Sequence, residues 1–332
     1  AIKVEPNNAF AWINKGDTYS KQVDLGKAID CYDKAIEIDP NDSVAWDSKG
    51  IAFADRGDLT DAIDCYKRAI EIDPANSVVW NNQGIAYAEK GDFDQAIVCY
   101  NKAIEINPVN SMVWNNQGNV YSKQGNLNEA IACYKKAIEV DPANSIAWNN
   151  QGIAYAEKGD FDQAIASYNK AIEINPVNSM AWNNKGNIYS KQGNLNEAIN
   201  CYNKVIEINP NDSTAWSNKG IAYSRKKDLD KAIACYEKAI EINPNYSGVW
   251  NNKGNIYSEK GDLDKAIACY EKAIEINPNY SIAWNNKGIA LSKKRNLDKA
   301  MECYIKAIEI NPNDFMAWNN RGTTYLEKGD LD

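Results

Sequence analysis

SVVWNNQGIAYAEKGDFDQAIVCYNKAIEINPVN, residues 77–110, decides how the rest of the chain is read. Moved along the sequence in steps of 34 residues, the segment falls on itself. Its Trp80 recurs as Trp12, Trp46, Trp114, Trp148, Trp182, Trp216, Trp250, Trp284 and Trp318, which are all ten tryptophans among the 332 residues. The prolines keep the same step from Pro6 to Pro312 without an insertion. A fixed period of this size means a stacked array of supersecondary units, none of which buries its apolar face alone.

Each unit reads as two helices. Asn76 or Ser77 caps the first, which carries Trp80, Ala86 and Tyr87 at helical spacing until Gly91 and Asp92 interrupt it. Glycine suits a left-handed helix end, and Asp92 or Asp94 offers a side-chain cap to the second helix. That helix presents Phe93, Ala96, Ile97, Tyr100, Ala103 and Ile104 on one face and ends before Pro108. Gly84, Ala96 and Ala103 let backbones approach, while Trp80, Tyr87 and Tyr100 fill the space beside them. On this reading Trp148 is core, and its truncation to alanine costs about 3–5 kcal/mol. Val23, Lys227 and Arg295 replace the turn glycine, so those helix ends either avoid the left-handed conformation or carry about 1–2 kcal/mol of strain. Lys49, Lys185, Lys253, Lys287 and Gln83 precede the first-helix glycine, with the lysine heads expected to reach an acid such as Glu71 or Glu105.

The series Trp80, Gly84, Tyr87, Gly91, Ala96, Tyr100, Ala103 and Pro108 resembles the tetratricopeptide repeat family, and the resemblance covers nearly all of the chain. It departs from the family where Gln83 and the equivalent lysines stand in place of the usual leucine. The resemblance implies an all-α, right-handed superhelical solenoid of antiparallel helix pairs, with first helices lining the concave wall. Residues 1–8 match the end of a truncated repeat, residues 9–314 hold nine complete units, and residues 315–332 hold the first helix and turn of a tenth. One continuous domain, cut from a longer protein, is the expectation. Solenoids need polar caps over their terminal apolar faces; none is legible at either end, so end-to-end self-association is expected.

Composition removes several function classes. Lys and Arg number 37 against 45 Asp and Glu, interspersed, for a net charge of −8. That leaves no basic footprint for nucleic acid or an anionic membrane surface. No apolar run approaches the roughly 20 residues of a membrane-spanning helix. The eight cysteines come one per repeat, with Ser167 at the ninth position. Such spacing fits half-buried helix residues in a reducing cytoplasm rather than a disulfide framework or zinc site. Histidine, the commonest general base and metal ligand, is absent. No phosphate-binding glycine motif occurs, and the acids recur in every unit rather than as one pair. The chain reads as a non-enzyme without cofactor or metal.

What remains is a surface. Val78, Asn81, Asn82, Ile85, Ala88 and Glu89 share a first-helix face that the core stripe does not use. The family resemblance sets that face in the groove. Asn14, Asn82, Asn116, Asn150, Asn184, Asn218, Asn252, Asn286 and Asn320 then form a ladder broken only by Ser48. An asparagine amide both donates and accepts, so a row of them suits the backbone of an extended peptide. Such a ladder resembles that of O-linked N-acetylglucosamine transferases, where it holds peptide backbone; the alternative is that the asparagines bond neighbouring units. Val44, Val78, Met112, Ile146, Met180, Ile282 and Met316, with Ile85, Ile153 and Ile221, lie beside the ladder as candidate pockets. Lysines and arginine (Lys21, Lys123, Lys191, Arg225, Lys293) interleave with acids (Asp55, Glu89, Glu157, Glu259, Glu327). The carboxylate clamp with which some members of the family hold chaperone tails needs lysines and an arginine where Asn81, Asn115, Asn149, Val78 and Met112 stand, so that ligand is not expected.

A second period overlies the first. Residues 76–143 and 144–211 agree at about four-fifths of positions, and Ile85, Asn119, Ile153, Asn187, Ile221, Asn255 and Ile289 alternate. Either recent duplication or a binding surface with a two-unit step accounts for it. The sequence as a whole reads as a protein-interaction scaffold for an extended peptide or partner helix. Alternatives are the recognition arm of a larger enzyme and a structural spacer.

Overall fold

The computed structural model describes residues 7–329, so most of the repeat end expected over 1–8 and the last residues of the helix and turn expected over 315–332 lie outside the described residues. Among these residues nineteen helices follow one another, thirteen or fourteen residues each, and no strand occurs. The chain divides into two compact units, Ala1–Pro176 and Val177–Asp332. Each is an all-α solenoid in which a helix packs antiparallel on the next and the pair stacks on its neighbour.

The helix boundaries follow from capping chemistry. In the third repeat the first helix, Ser77–Lys90, starts at Asn76, whose side chain accepts from the Val78 amide. The second, Phe93–Ile106, starts at Asp92, which accepts from the Gln95 amide. Between them Gly91 takes φ 87°, and the Asp92 amide closes back on the Tyr87 carbonyl at 2.9 Å. Val23, Lys227 and Arg295 make the same turn at φ 61°, 64° and 62°. These three helix ends therefore adopt the left-handed conformation and carry its cost, because the short connection leaves the chain no other path into the next helix.

Packing between the two helices of a repeat is a glycine–tyrosine contact. A Cβ added to Gly84 would meet Cε1 of Tyr100 at 2.6 Å, and the same clash recurs at Gly118 with Tyr134 and Gly152 with Tyr168. The tyrosine rings are fully buried, beside alanines such as Ala96 and Ala103 that expose nothing. The stripe is completed by the following repeat: Ala62, Ile63, Tyr66 and Ala69 bury against Val79 and Ala86. This is the interlocking that makes a lone pair unstable and a stack stable.

The tryptophans lie at the edge of this core, not in it. Trp80 and Trp148 are half-buried, and the Trp148 indole N–H donates to the Pro142 carbonyl at 3.1 Å. Trp80 donates to Pro74 and Trp216 to Pro210 in the same way. A ring with an N–H must keep that donor satisfied, and the inter-repeat turn supplies the acceptor. This ties Trp80, Trp148 and Trp216 each to the proline six residues before it. Truncating Trp148 accordingly costs less than the about 3–5 kcal/mol of a core tryptophan.

Candidate peptide-binding face

The first helices bring the ladder together. Asn82, Asn116, Asn150, Asn184, Asn218, Asn252 and Asn286 are all half-buried. Five of them, Asn82, Asn116, Asn150, Asn218 and Asn286, reach back one repeat. Asn82 Nδ2 donates to Asp47 Oδ1 at 3.1 Å, Asn116 to Asn81 at 3.2 Å, and Asn150 to Asn115 at 3.0 Å. In the second unit Asn218 donates to Asn183 at 3.1 Å and Asn286 to Asn251 at 3.0 Å. In Asn82 and Asn116 those bonds leave one N–H and the carbonyl oxygen for a ligand; Asn150, Asn218 and Asn286 donate a second time within the stack, which leaves them acceptor capacity on the carbonyl oxygen.

Asn81, Asn115, Asn149, Asn251 and Asn285 are buried beneath the ladder, whereas the sequence put Asn81 on the open face. A signal for this existed. Their equivalents Asp47 and Ser217 are also small and polar, as befits a buried acceptor. Asp47 is the costly version: burial raises its carboxyl above the usual carboxylate range, opposed by the Asn82 bond.

The two-unit alternation has a structural content. Tyr134 donates its hydroxyl to Asn119 Oδ1 at 2.9 Å, and Tyr202 and Tyr270 do the same with Asn187 and Asn255. Asn150, Asn218 and Asn286 of the following repeats donate to those same oxygens. Where isoleucine stands instead, the side chain packs inward. Ile85 lies against the cluster of Ala96, Tyr100 and Val113, and Ile221 against that of Ala232, Tyr236 and Val249. Ile85, Ile153 and Ile221 are half-buried, so core packing takes much of their surface.

The other apolar candidates are open. Val78 is 53% exposed, and Met112, Ile146 and Met180 are each 61% exposed. They recur at one position in successive first helices, next to the ladder.

Two further expectations are resolved. Lys49, Lys253 and Lys287 pair with Asp33 (2.6 Å), Glu237 (2.9 Å) and Glu271 (2.9 Å) on the preceding second helix. Glu71 and Glu105 instead pair within their own helices, with Arg68 and Lys102. The lysine column faces backward along the stack, toward the second helix of the preceding repeat. Gln83 takes a third course and accepts from the Cys99 thiol at 3.2 Å; Ser167 donates to Gln151 in the same geometry. The cysteines are buried and unbridged, and burial pushes the Cys65 thiol up to about 11 and Cys99 to about 12. Cys99 and Cys133 act as donors in the packing, and a buried thiol with a raised pKa is a poor nucleophile. Among the described residues no group of three or more acids or cysteines could hold a metal, and no helix is long and apolar enough to cross a membrane.

Several solved structures share this fold. A chain of the APC/C hetero-tetramer Cut9–Hcn1 is 17% identical, with 95% of this chain and 76% of that one covered and a TM-score of 0.56. A tetratricopeptide repeat protein from Parabacteroides merdae is 20% identical over 75% of this chain and 98% of its own, with a TM-score of 0.56. PilF of Pseudomonas aeruginosa is 18% identical over 64% and 97%, with a TM-score of 0.55. At such identities the likeness is one of fold. No curated protein is a significant match. The tetratricopeptide repeat family matches at residues 9–42, 77–110, 179–212, 213–246, 248–280 and 281–314. Further repeat families of the same description match at 31–64, 115–179 and 303–332, and a TPR repeat family at 50–91. By its repeat matches and its helix pairs, the chain belongs to the tetratricopeptide repeat family.

Proposed function

We propose that the chain is a protein-interaction scaffold that holds an extended peptide or a partner helix along the first-helix face. The observation that carries this is a row of exposed apolar side chains, Val78, Met112 and Ile146, in register beside half-buried amides that keep an acceptor. Apolar groups that the core does not need favour a partner. Backbone pairing to the amides supplies affinity, and the apolar row supplies selectivity. The ladder does double duty, because the N–H groups already used hold successive repeats in register. A solved array of this fold assembled within a hetero-tetramer is in keeping with a scaffold role.

The test follows from that double duty. Replacing ladder asparagines would remove bonds between repeats, so the apolar row is the cleaner target. Peptides selected from a displayed library on the intact chain are synthesised, and their affinity is measured by calorimetry. The triple variant Val78→Ser, Met112→Ser, Ile146→Ser should fold unchanged, since these side chains are exposed, and should bind about tenfold or more weakly. Unchanged affinity would remove the first-helix face from consideration.

A further inference from the structure

Four repeats also have a cleft floored by the tryptophan of the first helix and walled by second-helix residues. Over Trp12 and Trp46 it encloses about 510 Å³, and over Trp216 about 500 Å³. Over Trp284 it encloses about 860 Å³. The cleft over Trp284 is thus the largest of these four.

Three substitutions coincide there. Leu291 stands where Tyr19, Tyr223 and Tyr257 stand in other repeats. Asn296 replaces Asp24, Asp228 and Asp262, and Ile305 replaces Glu237 and Glu271. Their joint effect falls on one lysine. Lys27, Lys231 and Lys265 each pair with that aspartate at 2.7 Å and sit over that tyrosine ring at 5.4–5.5 Å. Lys299, their equivalent, has neither the acid nor the ring. Among the described residues no carboxylate lies within ion-pair distance of its Nζ. The other lysines at the cleft are engaged: Lys287 with Glu271, Lys306 with Glu309 and Lys294 with Asp264. Glu302, one turn from Lys299, also lines the cleft but does not pair with it.

We propose that the Trp284 cleft binds a small aromatic carboxylate. What this repeat lacks, compared with its neighbours, is one ring and one carboxylate, and a ligand carrying both restores the arrangement that Tyr257 and Asp262 build in covalently. The ring occupies the space vacated beside Trp284, Leu291 and Ile305, and the carboxylate meets Lys299. Trp284 already donates its N–H to Pro278 at 3.0 Å and carries Lys287 Nζ over its ring at 5.8 Å, so the ligand meets the indole by ring contact beside Lys287 and not through the N–H. The volume falls within the roughly 300–1,000 Å³ of small-molecule sites. In the smaller clefts over Trp12 and Trp216 the equivalent Lys27 and Lys231 are paired, so an extended partner finds no continuation of the site there, which favours a small ligand. This site is independent of the first-helix face and of any peptide bound there.

The test uses 2-naphthoate, uncharged 2-naphthamide and the peptide acetyl-Gly-Phe-Asp-Gly-amide, titrated into the ¹⁵N-labelled chain. The double variant Leu291→Tyr, Asn296→Asp reproduces the neighbouring repeats and so keeps the fold, which circular dichroism checks. The expected result is a saturable shift of the Trp284 indole resonance with 2-naphthoate. Affinity falls about tenfold or more for 2-naphthamide and in the double variant, and Lys299→Gln abolishes the preference for the charged probe. Absence of a saturable shift, equal affinity in the double variant, or tighter binding of the peptide would overturn the proposal.

Discussion

The hydroxyl of Tyr134 and Nδ2 of Asn150 converge on one oxygen, Oδ1 of Asn119, at 2.9 and 3.1 Å. That oxygen links the two helices of one repeat to the first helix of the next. Asn119→Ala leaves both donors without this acceptor, at about 1–3 kcal/mol for a buried unsatisfied group. Repeat arrays unfold by parts, so the place to look is amide hydrogen exchange in the helix Ser111–Lys123 and in Ser145–Lys158. Faster exchange is expected in both, with the repeat at Ala9–Ile38 unaffected.

Two glycine substitutions of identical chemistry should have opposite signs. Gly152→Ala drives a methyl to 2.6 Å from Cε1 of Tyr168, and overpacking of this kind costs about 1–3 kcal/mol. Gly26 lies in the helix Leu25–Ile38 with nothing within 4 Å of its added Cβ. Gly26→Ala should stabilise by up to about 0.5–1 kcal/mol through the lower chain entropy of alanine. Thermal midpoints of the two variants decide.

Arg295 sits at φ 62° in a turn that seven other described repeats build with glycine. Arg295→Gly relieves about 1–2 kcal/mol of left-handed strain, less what glycine loses in chain entropy. The midpoint should rise, and Gly159→Ala at the equivalent turn should lower it. A fall on Arg295→Gly would mean the arginine side chain contributes more than the strain removes.

Asp47 supplies a pH test. Its folded carboxyl is raised by burial, so the folded state holds the proton more tightly than the unfolded chain does. The group therefore contributes stability at low pH that is lost as pH rises through its folded value. Asp47→Asn keeps an oxygen for Asn82, as Asn81 does for Asn116, and removes the charge. The variant should be the more stable at pH 7, with the difference shrinking as pH falls through the raised folded value to the ordinary carboxylate range. Parallel stability curves for the two proteins would show that burial of Asp47 carries no cost.

The repeat, its two helices and their caps were legible because each rests on local chemistry repeated many times. Asn76, Asp92 and Gly91 each act within a few residues of themselves. The tryptophan was misplaced because its size signals burial, while its N–H bond to Pro142 is visible only once the turn is folded. The lysine partners were misassigned because Asp33 and Lys49 meet across repeats, at a distance in sequence that helix periodicity does not address. The face carrying the ladder was legible as a column; that Asn81 lies under Asn116 rather than beside it depends on the tilt of one first helix on the next.

The central claim is that partners engage the first-helix face. Met112, on that face, is 61% exposed, and Val98, on the outer side of a second helix, is 52% exposed. The two are nearly matched in accessibility and differ in location. A photoreactive benzoylphenylalanine placed at one or the other, followed by irradiation with the selected peptide, reads the binding face directly. Adducts from position 112 and none from position 98 are the predicted result. Adducts from position 98 alone, or equally from both, would contradict the account.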